Sequence, residues 1–396
     1  AYAFNCSESD RILVLIRLNG GNDGLNTIIP IFDYGTYSSN RSSIAISQNN
    51  TFSITPELAV NNRMATIEKF WQDGKMKVVN NVGYEDQNLS HFRSSDIWDS
   101  ASNSNEFVES GWLGRLFENE YPDYITNPPD CPPAIEIGNS GSFLFNNSED
   151  LKMGVNFANP QTFQNIAQQG SYFDAVNVPD CYYGQQLSYV RSIANSVYLY
   201  AEAINEAYES SSNSVTYPGD LGAQLSLVAR MIKGGLGTRV YMVSLGSFDT
   251  HAGQTNSHGN LLQNLADSVD KFYEDLGDGG YDKQVLSMTI SEFGRRVQQN
   301  ASNGTDHGAA APVLFFGEGL NGNGSLGGLP DLQDLDSTGN LKYQVDFRNL
   351  YASVLENWLC LDAQLVDNVL GGTFDRIDDL GINCVGTSSA EIQDFK

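Results

Sequence analysis

Four histidines occur in the 396 residues, and each lies in a short polar motif beside Asp or Ser. His91 falls in LSHFRSSD, His251 and His258 in GSFDTHAGQTNSHGN, and His307 in NGTDHGA. Imidazoles and carboxylates placed this closely are suitable ligands for divalent ions. Asp306 and His307 are adjacent in a Gly-flanked turn, where a sharp bend lets both reach one metal. Asp249 and His251, two residues apart, share a face if the chain stays extended. Asp23, in NGGNDGLN, is a further carboxylate among glycines that permit close backbone approach. The candidate metal set is therefore Asp23, Asp249, His251, His258, Asp306 and His307. It would serve one or two divalent ions drawn from zinc, manganese, magnesium and calcium.

Ser90 is the candidate nucleophile, because it starts a helical pattern beside His91 and Arg93. A nearby metal could lower the pKa of its hydroxyl, and helix N-terminal amides favour an anionic ester. The same residue also reads as an ordinary helix N-cap. Glu292 and Arg295, in SEFGRR, could supply a proton-handling carboxylate and a guanidinium fork for phosphate or sulfate. A surface ion pair is the alternative reading of those two.

Such groups need a scaffold that gathers distant segments. RILVLIRL from Arg11 to Leu18 is a short β-branched run ending at Gly20-Gly21, the pattern of a buried parallel strand. Comparable runs start at Met76, Arg239, Val285 and Pro312. Between them lie helical patterns such as Ser257 to Leu276, where Leu261, Leu262, Leu265, Val269 and Phe272 share a face. Strands alternating with helices predict an α/β fold: a doubly wound, mostly parallel sheet with helices on both faces. Asp23 and Asp249 follow strands, at the carboxyl edge where such sheets collect ligands. From about 121 to 185 the alternation gives way to Pro, Asn, Gly and Ser, which reads as a loop-rich cap within a single domain spanning 1–396. A long helix is expected from Gln186 to Glu209, and a surface loop from 319 to 340.

Lys and Arg total 22 against 48 Asp and Glu, a formal charge of −26. That charge repels nucleic acid and anionic membranes. No apolar run is long enough to span a bilayer. The five cysteines show no CxxC pair, so disulfides are expected: Cys360 with Cys384, and Cys131 with Cys181, leaving Cys6 over. The AYAFNC start reads as a processed, exported chain, secreted or held at a bacterial surface.

In this order, LIRLNGGNDGLNTIIP, LSHFRSSDIW, GSFDTHAGQTNSHGNLL, SEFGRR, GTDHG and DFRNLYASVLENWL resemble the bacterial exported family catalogued as domain of unknown function 1501, over roughly Arg11 to Leu359. That family is grouped with the alkaline phosphatase superfamily, whose sites usually hold two divalent metals and a Ser, Thr or modified Cys nucleophile. The resemblance implies that Asp306 and His307 are a ligand pair, Asp23 a ligand after the first strand, Asp249 a ligand of the other metal, and Ser90 the nucleophile. Three features depart from the superfamily pattern: Asp249 has His251 two residues on and His258 nine, where the superfamily often spaces Asp and His by four, no His follows His307, and CPPAI at Cys131 lacks the Arg of the sulfatase signature. The implied activity is hydrolysis of a phosphate, sulfate or related anionic ester, with Arg93 or Arg295 holding anionic oxygens. The alternative is a non-catalytic surface-binding or assembly subunit that keeps a metal for stability.

Overall fold

A computed structural model describes residues 11–138 and 141–384. At its centre, Ile12–Leu18 pairs in parallel with both Val240–Leu245 and Val285–Ile290. Beyond Val240–Leu245 the sheet continues in parallel through Ala134–Ile137 to Val155–Phe157. On the other side Ala311–Phe316 runs antiparallel to both Val285–Ile290 and Met76–Gly83. Two short strands, Gly324–Leu326 and Val345–Asp346, then join Met76–Gly83 in parallel. The nine-stranded sheet is thus mixed but mostly parallel.

Its strands read as continuous apolar runs because both faces are buried. Leu13 and Leu15 point into one core and Val14 and Ile16 into the other, as the two-residue strand period requires. One face is covered by the helices Pro160–Gln169, Tyr182–Glu209, Gly219–Lys233 and Gln254–Gly277. His91–Ser100, Trp112–Glu120, Phe347–Ser353 and Ala363–Leu370 cover the other. Helix Gln254–Gly277 seats Leu262, Leu265, Val269 and Phe272, all fully buried, against the sheet.

Part of the stretch expected as a cap belongs to the body. Residues 121–185 contribute the strands Ala134–Ile137 and Val155–Phe157 to the sheet edge. Those strands are short, and the Pro- and Asn-rich sequence around them masks their pattern. Likewise the expected 319–340 loop contains the strand Gly324–Leu326. Cys360 and Cys384 form the expected disulfide. The pairing of Cys131 with Cys181 is corrected: Cys181 is free and exposed, whereas Cys131 is disulfide-bonded. Cys6 lies outside the described residues.

Candidate functional site

Four parallel strands end at one edge of the sheet and deliver the segments Asn19 to Asp23, Tyr84 to His91, Gly246 to His251 and Ser291 to Arg295 there. Ala311–Phe316 runs the opposite way, so the residues leading into it, Asp306 and His307, arrive at the same edge. A two-residue antiparallel ribbon fixes them, with Arg295 opposite His307 and Gly294 opposite Gly308. Close approach of the loops depends on Gly20, at φ +120°, because a Cβ there would run into the backbone of Phe248 and Asp249. Ser247, a non-glycine residue at φ +75°, stores local strain in the turn that presents Asp249.

At this edge three imidazoles surround one carboxylate. His251 Nε2 lies 3.0 Å and His307 Nε2 3.2 Å from Asp249 Oδ1, and His91 Nε2 lies 3.5 Å from Asp249 Oδ2. His91, Asp249 and His307 offer ligand atoms that lie within 4.8 Å of one another. The other nitrogen of each ring is committed elsewhere. His91 Nδ1 donates to Glu292 Oε1 at 2.8 Å, His307 Nδ1 to the Leu89 carbonyl at 2.8 Å, and His251 Nδ1 to Asp306 Oδ1 at 3.2 Å.

Those three partners can only accept, and so can Asp249, so a ring that keeps its proton on Nδ1 turns its Nε2 lone pair toward a carboxylate, and a doubly protonated ring bridges the two acceptors. In the Nδ1-protonated form the Nε2 lone pairs face carboxylate oxygens, with His251 Nε2 3.0 Å from His307 Nε2, a crowding that a proton or a metal cation relieves. The arrangement fits a divalent metal at His91, Asp249 and His307, with His251 Nε2 beside them. Glu292, Asp306 and the Leu89 carbonyl would orient the rings, as outer partners of metal-bound histidines commonly do. Imidazole-rich sets favour zinc over calcium, magnesium and manganese, which prefer oxygen ligands.

The electrostatics agree with this reading. Burial alone would raise the Asp249 pKa, but the hydrogen bond and charge of Arg295, with His307 and His251, hold it down at about 2. Hydrogen bonding from Asn300 lowers Asp306, aided by His251. Partial burial lowers His307, against the opposing pull of the Leu89 carbonyl and Asp249. Both the carboxylate and that imidazole are thereby kept in their metal-binding forms at neutral pH.

The other candidates fall in three places. Asp23 and His258 are buried behind the cluster. Asp23 Oδ2 pairs with Arg41 Nη1 at 2.6 Å and accepts from Gln254 Nε2, while His258 Nε2 donates to Asn22 Oδ1 at 2.9 Å. Burial pushes the His258 pKa down to about 4, so the ring is neutral. Gln254 links Asp23 to Thr305, whose hydroxyl donates to Gln254 Oε1 at 2.6 Å, so Asp23 sits at the same sheet edge in a closed layer beneath the open cluster.

Neither arginine faces outward. Arg295, fully buried, donates to the carbonyls of Gly20, Gly21, Phe248 and Thr305 and to Asp249, fastening three loops together. Arg93 binds the carbonyls of Asn103, Ser104 and Glu106 and stacks over Phe107. Glu292 Oε1 accepts from both His91 and the Gly20 amide, which suits it to positioning.

Ser90 is exposed at the N-cap of helix His91–Ser100, and its hydroxyl makes no capping bond. It lies between Leu89, whose carbonyl holds His307, and His91. Arg41 and Asn300 lie outside the sequence motifs, and Gln254 and Leu89 lie inside them but carry no side-chain chemistry that singles them out. Phe293, buried against the rings of His91 and His307, lies inside SEFGRR and could have been read as their packing partner.

Fold and site together define an α/β protein with a metal-type His/Asp cluster at the carboxyl edge of its sheet. The chain belongs to the family "Protein of unknown function (DUF1501)", whose profile matches residues 78–381. No curated protein of similar sequence was found. Among solved structures the chain is similar to a member of the alkaline phosphatase superfamily from Vibrio parahaemolyticus, at 7% identity and TM-score 0.33, covering 82% of this chain and 64% of that one. It is also similar to the lipoteichoic acid synthase LtaP from Listeria monocytogenes, at 10% identity and TM-score 0.39, with 96% and 77% covered. A sulfatase from Pseudoalteromonas sp. aligns at 11% identity and TM-score 0.40, with 94% and 72% covered. This chain therefore spans less than two thirds of the Vibrio protein's length. Among the described residues, no helix is long and apolar enough to cross a membrane.

Proposed function

We propose that the protein is a metal-dependent hydrolase of an anionic ester, with Ser90 as nucleophile. The observation that carries this reading is the convergence of three imidazole Nε2 atoms on Asp249, each ring fixed through Nδ1. A bound divalent ion would supply Lewis acidity, polarising an ester oxygen and favouring the Ser90 alkoxide. Ser90 stands at the N-terminus of a ten-residue helix, whose free amides favour a negatively charged group. His91, Asp249, His251 and His307 serve as ligands. Glu292 and Asp306 orient His91 and His251, and Arg295 holds the loops and neutralises part of the Asp249 charge.

The site is read here as holding one ion. Asp23 and His258, ligands on the expectation of two metals, are engaged by Arg41 and Asn22, and the buried guanidinium of Arg41 supplies the positive charge next to Asp23, although Asp23 Oδ1 keeps no hydrogen-bond partner among the described residues. With Arg93 and Arg295 both turned onto backbone carbonyls, anion recognition falls to the metal and the Ser90 helix.

The engagement of Arg93 and Arg295 with backbone carbonyls favours a second reading, a surface protein that keeps the metal for structure. One experiment separates the two: metal analysis of purified protein followed by a screen of aryl phosphates, phosphodiesters and aryl sulfates. The hydrolase reading expects turnover that Ser90→Ala abolishes while metal content stays constant. Stoichiometric metal with no turnover of any ester class would favour the binding protein. Export, and placement at a bacterial surface, are part of the proposal and fit the disulfide between Cys360 and Cys384.

A further inference from the structure

Helix Tyr182–Glu209 has 28 residues, a length of about 42 Å. A heptad-spaced apolar stripe runs along one side of it, through Tyr183, Leu187, Val190, Ala194 and Val197, and continues into Ala201 and Ile204. The body of the protein covers Ala201 and Ile204, which are fully buried in the core. Over the N-terminal half the same stripe is open, with Tyr183 66%, Val190 61% and Val197 40% exposed. A contiguous apolar stripe of this kind marks an interaction surface.

The neighbouring polar flank is already occupied. Ser188, Arg191 and Asn195 hydrogen-bond the backbone of the 173–175 loop and hold it against the helix. In a chain of charge −26, Arg191 is the single charged residue from Tyr182 to Ala201. Of the whole acidic molecule, this face is one that a second, equally acidic copy can approach without local repulsion.

We infer that this stripe pairs with the same stripe of a second copy of the chain, in an antiparallel, two-fold-symmetric helix pair centred on Val190. The pattern is self-complementary, as an isologous contact demands. Symmetry about Val190 sets Tyr183 against Val197, and Leu187 against the level of Ile193 and Ala194, so that bulky residues meet small ones. Beside Val197 the surface dips into a depression lined also by Tyr124, Leu151, Ile193 and Tyr200, and Tyr183 of the second copy fills it. Exposed Cys181, at the N-cap of the helix, lies far from the symmetry centre. The two Cys181 thiols would stand about 27 Å apart, so the pair does not depend on a disulfide between them.

Sedimentation velocity of the full chain over a range of micromolar concentrations tests this. Wild type and Cys181→Ser should both dimerise, and added salt should strengthen association by screening the acidic bodies. Val190→Asp should weaken the dimer at least about tenfold, with circular dichroism and melting temperature unchanged. In a Cys181→Ser background, Val190→Cys should cross-link to itself through a short bis-maleimide, whereas Tyr183→Cys should not. A wild type that stays monomeric, a dimer abolished by reductant or by Cys181→Ser, or self-cross-linking at position 183 in place of 190 would each overturn the proposal. So would a monomer that binds lipid vesicles through Val190, since the stripe would then serve a membrane.

Discussion

Asp249 and Asp23 both follow a central parallel strand, and each is bonded to an arginine, yet their surroundings differ in kind. Asp23 is sealed: Arg41 and Gln254 hold its Oδ2, both members of the ion pair are 0% exposed, and its Oδ1 is buried without a hydrogen-bond partner among the described residues. Asp249 is half open and bonded to buried Arg295 on one side, while three imidazole nitrogens face it on the other. A carboxylate whose charge is answered inside the protein is structural. One that also faces several imidazole nitrogens at an open edge is a candidate metal ligand. Two strand-end aspartates that look alike in sequence are thus divided by what the rest of the fold brings to each.

The comparison breaks most sharply at Asp249 and Ser90. Ser90→Ala should lower ester turnover by about 10⁴-fold or more with metal content unchanged, measured in steady-state assays beside elemental analysis. Asp249→Ala should remove both metal and turnover and also lower the thermal midpoint of the metal-free protein, because buried Arg295 keeps its four carbonyl partners but loses its counter-charge. At the sealed aspartate the outcome reverses. Asp23→Asn leaves Arg41 buried without its counter-charge and should cost about 3 kcal/mol of stability in urea unfolding, with metal stoichiometry intact.

An acid titration sharpens the same contrast. Although burial works to raise the Asp23 pKa, Arg41 holds it below the usual carboxylate range. Its contribution to stability is therefore complete above the unfolded-state pKa near 3.9 and is lost as pH falls through the lower folded value. Urea midpoints of wild type should fall steeply at the acid end, and those of Asp23→Asn less so; equal slopes would remove Asp23 from the account. The smallest effect belongs to the outer partners. Asp306→Asn and Glu292→Gln should each weaken metal affinity by about 10- to 100-fold by loosening the orientation of His251 or His91, with residual occupancy detectable by competition against a chelating dye.

Much of this was legible in the sequence, because strands buried on both faces leave continuous apolar runs and helices leave a 3.6-residue stripe. Ile12–Leu18, Val240–Leu245, Val285–Ile290 and helix Gln254–Gly277 all lie where those patterns put them. The strands at 134 and 155 were hidden because, at four and three residues, they are too short to show a period. The scarcity of histidine pointed to segments that the fold brings to one sheet edge but could not say which of their members meet. Whether Asp306 binds metal or steadies His251 depends on the distance between Nδ1 and Oδ1 across 55 residues of sequence. Likewise His258 shares a motif with His251, but the helix turns it into the core. Arg41 gave no local sign of its role, since its partner Asp23 lies on a different element.

The central claim is that His91, His251, His307 and Asp249 bind a single divalent ion while Asp23 and His258 bind none. Calorimetric titration of chelator-treated protein with zinc tests it most directly. The account predicts one ion per chain, binding lost in His307→Ala and stoichiometry unchanged in Asp23→Asn. Two ions per chain, or full binding in His307→Ala, would contradict it.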